Sequence, residues 1–199
     1  MASSPESGTA PYVHHAWVDE SITFGVVGSY VLAAVITDPT QCDAMRDELM
    51  ALRVGRRSRL HWRGEGPDRR AKIVSAIAEF DLTCVAVVGQ PLDAKRQERA
   101  RRLCMRHLLY RLGELSVSHV VVERRTKSLD RQDMALIEGL RGATEVSEAM
   151  RVDLGSPIAE PMLWIPDVIA GALSASLRGD SGWLGQLDHL VERCDLQLT

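Results

Sequence analysis

The sequence predicts a single α/β domain that opens with an antiparallel meander and continues as alternating helices and strands. Three observations carry this prediction. A chain of 199 residues, 45% hydrophobic and 26% charged, has the balance of one ordinary globular domain. Between Tyr12 and Ile36, runs of β-branched and aromatic residues are punctuated by Gly25 and Gly28. From Asp38 onward, segments with apolar residues at helical spacing alternate with short β-branched runs.

Residues 1–11 are rich in Ser, Pro, Gly and Ala and lack periodicity, so they read as a disordered N-terminal tail, and the folded domain spans 12–199. Val13 to Val18 reads as a first strand that ends at Asp19-Glu20-Ser21, and Ile22 to Ile36 as strands two and three. Cys42, Met45, Leu49 and Leu52 form the apolar stripe of a helix, and Pro67 opens another whose stripe is Ala71, Val74, Ile77 and Ala78. Leu82 to Val88 is a buried strand. Lys95 to Leu115 is the clearest helix, with a core stripe of Ala100, Leu103, Cys104, Leu108, Leu112 and Leu115. Val117 to Val122 reads as a strand closed by Glu123, Asp133 to Leu140 as a helix and Ala149 to Leu154 as a short strand. An apolar helix around Met162 to Leu177, a helix over Trp183 to Glu192 and a short terminal strand complete the expectation.

Several function classes are excluded at this level. The longest uninterrupted apolar run, Tyr30 to Ile36, is far short of the roughly 20 residues that cross a bilayer, so no membrane association is expected. Cys42, Cys84, Cys104 and Cys194 form no Cys-x-x-Cys pair and read as reduced thiols of a cytoplasmic protein. His14 and His15 adjoin on a strand, where neighbours point to opposite faces and do not share one ion.

The net charge of −3 hides an asymmetry, because residues 53–111 hold 15 Lys or Arg against 6 Asp or Glu. Within and just beyond that stretch lie Arg57, Arg59 and Arg63, then Arg96, Arg99, Arg102 and Arg106 at helical spacing, then Arg124 and Arg125. Of the 24 basic residues 21 are Arg, whose planar fork binds a phosphate through two parallel hydrogen bonds. The pattern suits a polyanion, with solvated helix faces as the bland alternative.

Three acids stand where apolar elements ought to end blandly. Asp19 closes the first strand, Glu123 closes Val120-Val121-Val122, and Asp167 interrupts an apolar helix with no basic residue within ten positions. A carboxylate inside such a helix costs several kcal/mol unless paired, protonated or metal-bound. The bland reading of Asp167 is an acid near a helix N-terminus just after Pro166. That of Asp19 and Glu20 is a turn after a strand. Glu20 joins Asp19 only if the chain turns at once, since alternation points them to opposite faces. Together the acids suit one or two divalent ions, and hard oxygen ligands imply Mg²⁺ or Mn²⁺. His61 can touch a phosphate or shuttle a proton near neutral pH, or else simply stack on Trp62.

Trp17-Val18-Asp19-Glu20-Ser21, the Tyr30 to Val35 strand, Leu60-His61, the strand ending at Glu123 and Ile165-Pro166-Asp167-Val168-Ile169-Ala170-Gly171-Ala172 occur in an order that resembles the domain-of-unknown-function family number 3800. The resemblance covers nearly the whole folded chain. It implies a ribonuclease H-like mixed β-sheet, with antiparallel first three strands and then β-α repeats, flanked by helices. It also implies a metal-dependent nuclease site on Asp19, Glu123 and Asp167, with Glu20 and His61 at further family positions. Departures are Ile22 where the family commonly has Gly, Glu123 where it has Asp, and Trp164 where it has Gln. The expectation is a divalent-metal-dependent nuclease acting on RNA, DNA or a hybrid. The alternatives are a catalytically inactive nucleic-acid-binding module and a protein-interaction component of a defence or mobile-element system.

Overall fold

Ser29–Thr37 is buried along its entire length, as its unbroken apolar run requires of a strand covered on both faces. In the computed structural model, which describes residues 14–55 and 58–198, this strand (β2) lies inside a six-stranded mixed sheet. The expected tail over 1–11, Val13 and Arg57 lie outside the described residues. His14–Thr23 (β1) pairs antiparallel with β2 from His15 opposite Thr37 to Thr23 opposite Ser29. Thr83–Gln90 (β3) completes the antiparallel meander on the other side of β2. Val117–Glu123 (β4) runs parallel to β1, Arg151–Gly155 (β5) parallel to β4, and Val191–Gln197 (β6) parallel to β3. The order across the sheet is β5-β4-β1-β2-β3-β6.

Two expectations from sequence are corrected here. The first strand does not stop at Asp19, so the segment 14–37 forms two strands and not three; the third meander strand is β3. Trp183 to Glu192 is not a helix but two 3₁₀ turns, Leu184–Gln186 and Asp188–Leu190, leading into β6. Leucines at 184, 187 and 190 recur every three residues, the 3₁₀ period.

Five helices cover the sheet. Cys42–Ala51 (α1), Pro67–Ala78 (α2) and Trp164–Ser176 (α5) bury their apolar stripes with Trp17, Val31, Ala33, Val35 and Ala86 on one face. Gln97–Glu114 (α3) and Lys127–Gly142 (α4) cover the other with Ala16, Val18, Leu32, Ala34 and Val85. Successive residues of each central strand thus feed two separate cores, as the period of two demands. No helix among the described residues is long and apolar enough to cross a membrane, and all four cysteines are free.

The core behind β1 contains charge. Arg101 lies on the buried stripe of α3 and donates to both oxygens of Asp133 on α4, with its Nη2 2.9 Å from Oδ2. It also donates to Glu20 on β1 and to Tyr30 Oη on β2. Arg125 joins from the loop after β4, 2.8 Å from Asp133 and 2.9 Å from Glu98. Each carboxylate in this cluster faces a guanidinium, so its members offset one another's desolvation. Deleting Arg101 leaves Glu20 without its guanidinium and Asp133 with Arg125 alone. Arg101→Ala is expected to destabilise the chain by roughly 3–5 kcal/mol in denaturant unfolding, whereas Arg102→Ala, one position on and exposed, shifts it by less than about 0.5 kcal/mol.

Candidate active site

Parallel pairing brings the first two acids together. Trp17 lies opposite Val121 and Val18 opposite Val122, so one residue further Asp19 stands beside Glu123, the last residue of β4, where the parallel pairing of the two strands ends. Both point to the α5 face, the face Trp17 shares by alternation. Their carboxyl groups are within hydrogen-bonding reach of each other. Asp19 Oδ1 also accepts from Glu20 N at 2.7 Å, and Glu123 Oε1 from Arg59 Nη1 at 3.2 Å.

Asp167 arrives from the first turn of α5. Its Oδ2 accepts from Trp62 N at 2.7 Å, and His61 Nδ1 lies 3.1–3.2 Å from its two oxygens. A side chain at position 171 would place its Cβ 2.2 Å from the Trp62 ring, so glycine one turn after Asp167 is what admits the indole against α5. Arg70 caps that ring from outside, its Cζ 4.4 Å from the centroid, and donates to Trp62 O. His61 therefore does not stack on Trp62; the 61–62 dipeptide clips onto α5 at two points, a carboxylate and a glycine.

These residues line one cavity of about 350 Å³ that includes Asp19, Glu20, Ser21, Ile22, Phe24, His61, Trp62, Arg63, Glu123 and Asp167. Burial and the neighbouring charges of Glu123 and Asp167 push the Asp19 carboxyl well above the usual carboxylate range. Burial raises Glu123 as well, against the opposing pull of Asp19 and Arg59. The hydrogen bond to Asp167 raises His61. Among the described residues no three His, Cys, Asp or Glu side chains form a ready-made cage for an ion; Asp167 is engaged with His61 and Trp62 N, Asp19 with Glu20 N and Glu123 with Arg59. The donor set nevertheless fits a hard divalent cation, because it consists of crowded carboxylates whose mutual repulsion a cation would relieve.

The other residues singled out from sequence divide. Arg59 and Arg63 stand at the site, Arg63 donating to Ile22 O at 3.0 Å. Arg124 and Arg125 line a smaller cavity of about 60 Å³ with Asp19, Glu20 and Glu123, but Arg125 is already committed to Glu98 and Asp133. Arg99, Arg102 and Arg106 on α3, with Arg96 in the 3₁₀ turn just before it, form an exposed stripe across the sheet from the carboxylates, with Arg106 held by Glu145. Glu20 does not face Asp19's side, since β1 continues beyond it, and its carboxylate is held by Arg101 and Tyr30 Oη. His15 packs edge-on against His119 at 5.0 Å, away from both. Sequence reasoning missed Arg101 and Asp133, although each interrupts a buried helical stripe just as Asp167 does. It also missed the Trp62 amide and Gly171.

The shifts have a consequence for stability. A carboxyl raised in the folded state holds its proton when the unfolded chain has lost it, so stability falls as pH rises from the ordinary carboxylate range toward the folded value. A histidine raised above its ordinary 6.5 contributes stability that is present below that value and lost as pH rises through the folded one. Both act in the same direction. In chelator, unfolding is therefore expected at higher temperature near pH 5.5 than near pH 8. Asp19→Asn is expected to raise neutral-pH stability by on the order of 1 kcal/mol, about 2–4 °C in Tm for a chain of this size. Gly171→Ala is expected to cost roughly 1–3 kcal/mol by displacing Trp62.

No family model matches the chain, and no curated protein is similar to it. Solved structures do match. Ribonuclease HII from Archaeoglobus fulgidus, solved in complex with PCNA, aligns with 89% of this chain and 77% of its own at a TM-score of 0.51 and 16% identity. A variant of Bst-RNase HIII aligns with 90% of this chain at a TM-score of 0.53 and 15% identity, and the chain spans 54% of its length. Ribonuclease H2 from Pyrococcus horikoshii aligns with 87% of this chain and 76% of its own at 0.50 and 15%. The mixed sheet flanked by helices is thus the fold of these ribonucleases H.

Proposed function

We infer that the chain is a divalent-metal-dependent nuclease that hydrolyses phosphodiester bonds of RNA or DNA, and that it belongs with the domain-of-unknown-function family number 3800. One observation carries the reading: Asp19, Glu123 and Asp167 converge from β1, β4 and α5 on a single cavity at the carboxyl end of β4, where its parallel pairing with β1 stops. That end of an open sheet is where α/β folds bind their ligands. The ribonuclease H-like fold of the solved neighbours is consistent with it, and the site residues make the argument, since fold alone does not assign chemistry.

In this reading Asp19, Glu123 and Asp167 hold Mg²⁺ or Mn²⁺, which when bound supplies charge stabilisation at the phosphate and a water of lowered pKa. Trp62 N fixes the Asp167 carboxylate, and the Gly171 contact fixes Trp62. His61 has Nδ1 committed to Asp167, which leaves Nε2 to take or give a proton at the cavity wall. Arg59 and Arg63 orient a phosphate at the rim. Glu20 acts behind the strand, where Arg101 holds the end of β1 in place.

Mn²⁺ titration by calorimetry tests the metal assignment without a known substrate. Saturable binding in the wild type and its loss in Asp167→Asn are expected; the amide still accepts from Trp62 N, so circular dichroism should show the variant folded. Absence of binding in the wild type up to millimolar Mn²⁺ would overturn the reading. On oligonucleotides, Asp19→Asn is expected to abolish divalent-dependent cleavage.

A further inference from the structure

The β1–β2 turn has the wrong composition for a solvated hairpin tip. Such turns favour Gly, Asn, Asp and Ser, yet this one reads Phe24-Gly25-Val26-Val27-Gly28. Phe24 is 58% exposed, Val27 60% and Val26 fully exposed, three of the seven large exposed hydrophobics among the described residues. Scattered apolar residues on a surface need no explanation, but a contiguous cluster marks a binding surface.

The tip is anchored at its base. Leu92 N donates to Gly28 O at 2.9 Å, and Thr23 and Ser29 bond through their hydroxyls at 2.6 Å. A Cβ on Gly28 would lie 2.6 Å from Leu92 O, so the backbone of the turn sits directly against the loop after β3. The apolar tip is thus presented from a fixed platform.

Its position adds the chemistry. Phe24 and Ile22 line the same cavity as Asp19, Glu123, Asp167 and His61, with Arg63 between the apolar and acidic ends. The volume of about 350 Å³ lies at the small end of the range for ligand pockets, suited to one nucleotide and not to the width of a duplex. A nucleotide has the complementary division: a phosphate for the carboxylate end with its cation, an arginine beside it, and a flat apolar base for the aromatic ring.

Resting on the nuclease reading above, we propose that Phe24 is a stacking platform for an unpaired base and that the site takes a single-stranded segment of nucleic acid. Val26 and Val27 extend the apolar edge along which the next base lies. A continuous duplex keeps its bases stacked on one another and offers no face to Phe24.

The test is binding, measured in the Asp19→Asn full-length chain so that cleavage does not intervene. Fluorescence anisotropy with Mg²⁺ would compare one labelled sequence as single-stranded RNA, single-stranded DNA and the corresponding duplexes; 2-aminopurine in the single strands reports stacking. Single strands are expected to bind more tightly than duplexes. Phe24→Ala is expected to weaken single-strand binding roughly tenfold or more and to abolish the 2-aminopurine quenching, and Phe24→Trp to retain both. Since Phe24 is exposed, neither substitution should lower thermal stability. Duplex bound as tightly as single strand, or unchanged affinity in Phe24→Ala, would overturn the inference while leaving intact a metal site that passes the Mn²⁺ titration. Failure of every nucleic acid to bind would overturn it too, and failure of Mn²⁺ binding as well would remove the nuclease reading with it.

Discussion

The parallel register of β1 with β4 sets Asp19 beside Glu123 in a largely buried place, and the Coulomb repulsion between those two carboxyls is what the surrounding structure has to contain. Left to relax, the strand ends would splay toward water. They are held from behind by Arg101, which ties the next residue of β1, Glu20, to Asp133 on α4, and by Arg125, which ties the residue pair after β4 to the same acid. The fold thus stores an unfavourable electrostatic arrangement on one side of the sheet and a fully paired one on the other, separated by the thickness of a strand.

The third carboxylate is controlled differently. Asp167 belongs to a helix, but its orientation depends on a segment more than a hundred positions away, through Trp62 N and His61. The indole fits only where α5 has no side chain at 171, and Arg70 covers its outer face. Packing therefore does the work that a second-layer hydrogen bond often does: the Trp62 ring locks the turn, and the turn's amide then aims the acid.

Much of this was legible in the amino-acid pattern. The position of Glu123 at the end of its strand and the intrusion of Asp167 into an apolar helix needed no partner to be noticed, because each breaks a local period. What the pattern hid was decided by distant residues. Asp19-Glu20-Ser21 has the composition of a turn, and remains strand because β2 pairs with it as far as Thr23 and because Arg101, 81 positions on, donates to Glu20 on the far face. The arginine stripe of α3 was correctly seen as an exposed face, yet no periodicity reports which side of a sheet a helix will cover, and it covers the side away from the carboxylates. The leucines after Trp183 are apolar at a spacing of three, which an α-helix stripe and 3₁₀ turns share, and the chain forms the turns.

The pairing of His61 with Asp167 spans 106 positions, and that of β1 with β4 nearly as many. The three carboxylates Asp19, Glu123 and Asp167 come from three separate stretches of chain, so no local segment contains the full set. Closing such loops costs entropy that grows only slowly with length but is spent before any contact repays it. Topologies of this kind fold slowly for their size. The cavity is consequently among the last features to assemble as the chain folds and among the first to be lost when β4 or α5 detaches, which ties its integrity to that of the whole domain.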